Sequence, residues 1–360
     1  MPSQIESQAN RPAVQKLDVQ AAAGSPRPQR ISALDFTKGA LVLIMVLYHW
    51  INYFIGPQWE YYEYLRFLTP SFIFITGFMI SHVYLSKYDA ADPRLAKRLF
   101  VRGLKLLAIF IALNVARTFV IPMLGTGAVV ANPLDLRNIF IVYVSGNLPV
   151  VGAKLVSFYI LVPISYVLIF SGALMLPYRF FRYTFHLVCL VLLLSIVILG
   201  LINAHSQNLE LFTIGMLGVL IGFTRITAIN DFVRHPYMLA FAYLCYTIAI
   251  TIWNVPFLLQ VIGVFLSLMV IYLVGTSGSE SDKIRSEVIL LGKYSLFGYI
   301  SQMVILQFLN AGLHHVDPGI AVLVISFIAA FALTIISVEV VDRARTKAPS
   351  MDKLYKAVFA

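Results

Sequence analysis

Charged side chains are scarce in this sequence: 12% of its 360 residues, against 59% that are hydrophobic. A soluble domain carries about a quarter charged residues, which excludes water as the solvent for most of this surface. Acidic residues are scarcer still, 17 against 27 Lys and Arg, leaving a formal net charge of +10. That excess does not point to nucleic acid, because the basic residues sit between apolar runs, as in loops beside anionic lipid. Cysteine is nearly absent. Cys189 and Cys245 both lie inside apolar runs, which argues against a disulfide framework and for small buried hydrophobes. A metal site is not expected, because His314, His315 and Asp317 are too tightly spaced to be a strong signal. Internal repeats, direct or inverted, are also missing, as is a short cleavable leader.

What is present is a series of long apolar runs. A membrane-crossing helix needs about twenty apolar residues. Runs of this kind occupy 36–55, 70–85, 100–124, 155–176, 185–202, 209–223, 236–253, 256–274, 288–309 and 320–341. The expected fold is therefore all-α, a polytopic membrane helix bundle of about ten transmembrane helices. The second and sixth runs are short and call for tilt or for extension into their flanks. Residues 1–29, rich in Gln, Ala, Pro and Ser, read as a disordered tail. The transmembrane domain is expected over 30–342 and a basic tail over 343–360. Gly215, Gly218 and Gly222 in the sixth run are spaced for close helix contact.

Loop charges orient the chain. The segment 56–63 has no Lys or Arg, whereas 87–105 has Lys87, Arg94, Lys97, Arg98, Arg102 and Lys105. Only Arg137 falls in 125–152, and Arg179 and Arg182 follow in the next turn. The alternation continues: none in 203–208, Arg225 and Arg234 next, none at 254–255, then Lys283 and Arg285. It ends with none in 311–317 and Arg343, Arg345, Lys347, Lys353 and Lys356 in the tail. Positive loops stay in the cytoplasm, so both termini are expected on that side.

The first run carries the most chemistry. It reads RISALDFTKGALVLIMVLYHW from Arg30 to Trp50, and Asp35, Lys38 and His49 interrupt it. At ~100° per residue, the step from Lys38 to His49 overshoots three full turns by only ~20°, so the two share a face. Asp35 lies within ~60° of both. A rise of ~1.5 Å per residue puts His49 about 16 Å deeper than Lys38. Ionisable groups at such depth face a bundle interior or a wet cavity. Taken singly, Lys38 reads as a snorkelling side chain, Asp35 as a helix cap and His49 as a packing histidine. Their common stripe suggests a tunnel wall. A buried neutral His suits general-base work, since its ordinary pKa of about 6.5 lies near neutrality.

These residues resemble the first helix of the membrane acyltransferase-3 family: Leu34-Asp35, Lys38-Gly39-Ala40 and, separated from the basic Lys38 by ten residues, His49. The family usually carries Arg where this chain has Lys38. TPSFIFITGFMIS over 69–81 resembles the second-helix segment, with Thr76 in place of Ser. Arg98, Arg102 and Lys105 resemble the basic cluster at the start of the third helix. Phe158-Tyr159 with Pro163 resembles a Phe-Tyr-Leu-x-x-Pro segment, and the Glu that often precedes it is missing. LGKYSLFGYISQ over 291–302 resembles a late Gly-x-x-Ser-x-x-x-Tyr helix, with Gln302 where many members have His. Glucan succinyltransferases and heparan-glucosaminide acetyltransferase-like proteins share a similar opening helix.

The resemblance implies transfer of an acyl group, often acetyl, from cytoplasmic acyl-CoA to a hydroxyl of a glycan or glycolipid at the far face of a bacterial inner membrane. It implies that Arg98, Arg102 and Lys105, with Arg30 at the same end, hold the CoA phosphates. His49 would be the general base, with Asp35 and Lys38 at the tunnel mouth. Tyr48, Asn114 and Arg117 are, by depth, candidates for contact with the acceptor and the developing oxyanion. A multi-span transporter or flippase of a polar or lipid-linked molecule is the alternative. It lacks the inverted repeats and matched broken helices such proteins often show.

Overall fold

The computed structural model describes residues 31–56, 59–85, 92–123, 135–148, 156–253, 256–277, 282–313 and 319–359. Among these residues every regular element is helical, as an apolar solvent demands: main-chain polar groups with no water nearby must be satisfied within the segment. The first helices are α1 (Ser32–Phe54), α2 (Trp59–Leu65), α3 (Leu68–Met79), α4 (Pro93–Met123) and the short α5 (Leu136–Phe140). Next come α6 (Leu161–Tyr178), α7 (Thr184–Leu201), α8 (Gln207–Gly222), α9 (Ile226–Val233) and α10 (Pro236–Ile252). The chain closes with α11 (Phe257–Ser277), α12 (Lys283–Lys293), α13 (Ser295–Leu313), α14 (Ile320–Lys347) and α15 (Pro349–Phe359). α3 runs on as a π-helical stretch over Ile80–Leu85, and α5 does so over Ile141–Ser145.

The helix boundaries follow local chemistry. Ser206, Asp135 and Asp282 cap α8, α5 and α12 by accepting from the Leu209, Arg137 and Ile284 amides. Prolines 93, 236 and 349 open α4, α10 and α15, where a missing N–H costs nothing.

Among the described residues eight helices are long and apolar enough to cross a membrane, or nine if α8 and α9, bent by 100° at their junction, count as one span. Each expected run overlaps one or more helices. The run at 70–85 gains length at its start, as Tyr62–Leu85. The runs at 209–223 and 236–253 form α8, of 16 residues, and α10, of 17. The run at 288–309 is divided at Tyr294 into α12 and α13.

Three glycine-mediated crossings hold the bundle together. A Cβ on Gly77 or Gly218 would strike the partner's carbonyl, Gly215 or Phe74, so α3 and α8 touch main chain to main chain. Ser81 Oγ seals that crossing by donating to Val219 O at 2.6 Å. Gly103 and Gly172 do the same for α4 and α6, against Ser165 O and Ala96 O. Gly39 and Gly292 join α1 to α12, where added methyls would run into Val288 O and Asp35 O. Without a hydrophobic drive between helices in lipid, close packing of this kind is what holds them.

The core lies between α1, α3, α4, α6, α8 and α13 and includes Leu41, Met45, Ile73, Phe110 and Met216. The periphery is apolar as well. On α7, Leu187, Leu190, Val191, Leu194, Val197 and Ile198 are each more than half exposed. A face of that size exceeds what a water-soluble monomer shows and fits contact with lipid.

Candidate functional site: a cavity at the basic end of the bundle

α1 begins with the pieces that set up the site. Asp35 sits in its first turn, where the helix dipole favours a negative charge. Lys38 Nζ lies 2.6 Å from Asp35 Oδ1, with side-chain exposures of 17% and 6%. The pair is thus sheltered, and Asp35 holds the ammonium in place from behind. The next residue, Gly39, is the contact with Gly292 of α12. Because the two main chains touch there, the start of α13 is pressed against the Lys38 turn.

The result is a cavity of about 160 Å³ whose wall includes Lys38 of α1, Phe72, Ile75, Thr76 and Met79 of α3, and Tyr84 just beyond. Arg102 and Leu106 of α4, Ile160, Leu161, Ile164 and Leu168 at the start of α6, and Ser295, Leu296 and Tyr299 of α13 complete it. From Phe72 to Met79 the wall spans about 10 Å at a helical rise of ~1.5 Å per residue, and it continues along the π-helical stretch to Tyr84. A volume of this size is below the ~300–1,000 Å³ of compact small-molecule pockets. It is a narrow channel, suited to an extended chain. Its polar groups are Lys38, Arg102, Thr76, Tyr84, Ser295 and Tyr299, and its charges are both positive.

Aromatic rings hold the arginines at the mouth. Arg102 Nη1 donates to the Tyr84 hydroxyl, and the Arg98 guanidinium lies 5.7 Å from the centre of the same ring. Lys105 is half-buried on α4. Tyr355 of α15 also feels Arg102: burial pushes its phenol up, while Arg345 and Arg102 pull it down. The C-terminal helix therefore lies beside this end of the channel.

Farther along, Tyr53 is within electrostatic reach of both Tyr299 and Arg117. Arg117 is buried in α4, at 6% exposure. His49 is one turn before Tyr53 on α1, half-buried, with its ring 5.0 Å from Tyr48. Tyr48 shares hydrogen bonds with Asn52 and Tyr62. Asn114 serves as a pin: its Nδ2 donates to Phe110 O at 2.9 Å and Ser157 O at 3.0 Å, and its Oδ1 accepts from the Ser157 amide at 2.8 Å. That pin holds Phe158 at φ +60°, a left-handed conformation that a bulky side chain seldom adopts. The Phe158 ring meets the Tyr299 ring edge-on, 6.2 Å between centres.

The structure thus brings Lys38 and Arg102 to one wall, with Asp35 behind Lys38 and Arg98 at the mouth. His49 is not on that wall; it lies on the Lys38 stripe of α1, deeper in the bundle. Tyr48 and Arg117 are at His49's depth. Arg30, His314, His315 and Asp317 lie outside the described residues. Sequence reasoning missed Tyr84 and Tyr53, whose only signal is an aromatic at a span end, and the strained turn at Phe158, which has none. Comparison with protein-family models, curated proteins and solved structures finds no match to this chain. The acyltransferase-3 resemblance rests on the motif residues alone.

Proposed function

We propose that this protein is a membrane O-acyltransferase with about ten spans, embedded in a bacterial inner membrane with both termini in the cytoplasm. It moves an acyl group, most simply acetyl, from acyl-CoA to a hydroxyl of a glycan or glycolipid at the far face. One observation carries the reading: residues from motifs far apart in sequence, Lys38, Thr76, Arg102, Ser295 and Tyr299, wall a single narrow, positively charged channel.

Arg98, Arg102 and Lys105 hold the CoA phosphates at the mouth, and Arg30 belongs to the same end. The pantetheine arm extends along the channel past Lys38, which Asp35 positions, toward Tyr299. Beyond it His49 accepts the proton of the acceptor hydroxyl as that oxygen attacks the thioester carbonyl carbon. The carbon–sulfur bond then breaks, and the CoA thiolate takes up a proton from the imidazolium. Tyr48 and Arg117, at the same depth, face the acceptor side, and Asn114 holds the turn at Ser157 in place. Membrane lipid surrounds the bundle.

The test uses purified protein, acetyl-CoA labelled in the acetyl group, and a cell-envelope extract. Label is expected to move to a glycan with the wild type and to stay in acetyl-CoA with His49→Ala. Equal transfer by the variant removes His49 from the mechanism. Uptake of an intact lipid-linked or polar molecule into vesicles, with no acyl transfer, favours the transporter reading instead.

A further inference from the structure

Among the described residues Gln302 is a fully buried side chain with two polar atoms left unpartnered, whereas the equally buried Ser71 leaves only its single Oγ so. Its exposure is 0%, and neither Oε1 nor Nε2 has a hydrogen-bond partner. A primary amide in that condition is costly, because both its donors and its acceptor have lost water with nothing in return. Native proteins keep such groups mainly where a ligand, an ordered water or the chemistry supplies the partner.

The position of Gln302 says which partner. Ser295 and Tyr299, both on the channel wall, precede it on α13. At ~100° per residue Gln302 falls ~20° from Ser295 and ~60° from Tyr299, so it lies on the same face of α13, about 4.5 Å beyond Tyr299, the last residue of that helix on the cavity wall. The depth can be read against α1. A Cβ on Gly298 would touch Val42 at 3.3 Å, and Leu306 clusters with Val46 and Trp50. Gln302 lies midway between Gly298 and Leu306, hence beside the Val42–Val46 turn. His49 is the next turn up on α1, within ~20° of both Val42 and Lys38 around the helix.

We infer that the Gln302 side-chain amide is the oxyanion donor of this site, a catalytic residue that hydrogen-bonds the acyl carbonyl oxygen. The inference rests on the acyltransferase reading above. An acyl group at the tip of an arm threaded past Tyr299 reaches Gln302 just before it reaches His49. When the acceptor oxygen bonds to the carbonyl carbon, negative charge gathers on the carbonyl oxygen, and Nε2–H donates to it. When the carbonyl reforms, the carbon–sulfur electron pair leaves with CoA. A donor fixed in a dry site needs no reorganisation at that moment and is most effective there.

The decisive variant is Gln302→Met, which keeps the length and removes both polar ends. As an oxyanion donor, Gln302 is expected to be dispensable for folding: the Met variant melts at or above the wild-type temperature in detergent. It should also lose about 100-fold in kcat for labelled acetyl-CoA and envelope glycan, the size of effect typical for one lost donor, with KM for acetyl-CoA little changed. Gln302→Leu, which fills the site and carries no donor, should lose as much.

An unchanged kcat in Gln302→Met, or a loss that appears in KM alone, overturns the assignment and leaves the acyltransferase reading standing. A strong drop in melting temperature in that variant also overturns it, since it reveals a structural hydrogen bond. No transfer by the wild-type protein ends the acyltransferase reading and this inference together.

Discussion

Arg102 meets aromatic neighbours on both sides of the channel mouth, Tyr84 by a hydrogen bond and Tyr355 through its charge. That preorganisation separates it from a basic residue that merely marks a loop. Arg102→Ala is expected to raise KM for acetyl-CoA about tenfold, the value of one charge-assisted hydrogen bond, with a smaller change in kcat. The reverse pattern in steady-state kinetics argues against phosphate contact. Asp35 acts through Lys38. Asp35→Asn removes the partner of a sheltered ammonium, and breaking such a pair is destabilising by roughly 3–5 kcal/mol when fully buried. Lys38 is partly open to the channel, so a loss of about half that is expected in thermal unfolding. The Lys38 stripe was legible because helical periodicity is a property of spacing. The strained turn at Phe158 was not, because its cause is the Asn114 side chain, 43 residues away at the Ser157 main chain.

The α1–α12 crossing is where a helix contact decides the site. A Cβ at Gly292 would meet Asp35 O, and Asp35 positions Lys38. Gly292→Ala is therefore expected to cost about 1–3 kcal/mol, as overpacking does, and to lower transfer. Gly200→Ala, at a position with open space around it, should be neutral or stabilise α7 by about 0.5–1 kcal/mol. Melting temperatures of the two variants in the same detergent check the contrast. The C-terminal helix offers a pH prediction. Hydrogen bonds from Lys356 and Arg345 hold the Asp352 carboxyl below its usual 3.8. A carboxyl lowered on folding stabilises above its unfolded pKa, and that support is lost as pH falls through the folded one. Docking of α15 should therefore be constant from pH 8 to about pH 5 and loosen only in stronger acid. Hydrogen exchange over 349–359 measures this; release near neutrality would contradict it. The expected basic tail thus contains a docked helix. Its apolar positions were visible, but the ring stack of Arg345 between Tyr294 and Tyr355, 5.2 and 4.1 Å from their centres, was not.

For the molecule as a whole, the basic residues of the loops set the orientation proposed. The described spans number eight or nine by length and apolarity; the proposed count of ten also takes the short, apolar α10 as a span. A fluorescent protein fused after Ala360 is expected to fold and fluoresce, because it stays in the cytoplasm. Alkaline phosphatase at the same point should be inactive. The opposite pair of results reverses the membrane orientation and places the basic mouth on the wrong side for acyl-CoA.

The membrane class, the helical fold and the Lys38–His49 stripe were settled by composition and by periods of a few residues. Each is local, and lipid leaves the main chain of a spanning segment little choice but a helix. Which helices touch was a different matter. Glycines at 39, 77, 103 and 292 look alike in sequence, yet each meets a particular carbonyl or side chain only once its partner helix is in place. The channel exists because those contacts draw α1, α3, α4, α6 and α13 around one void, and Gln302 stands out because the packing that buries it supplies no partner.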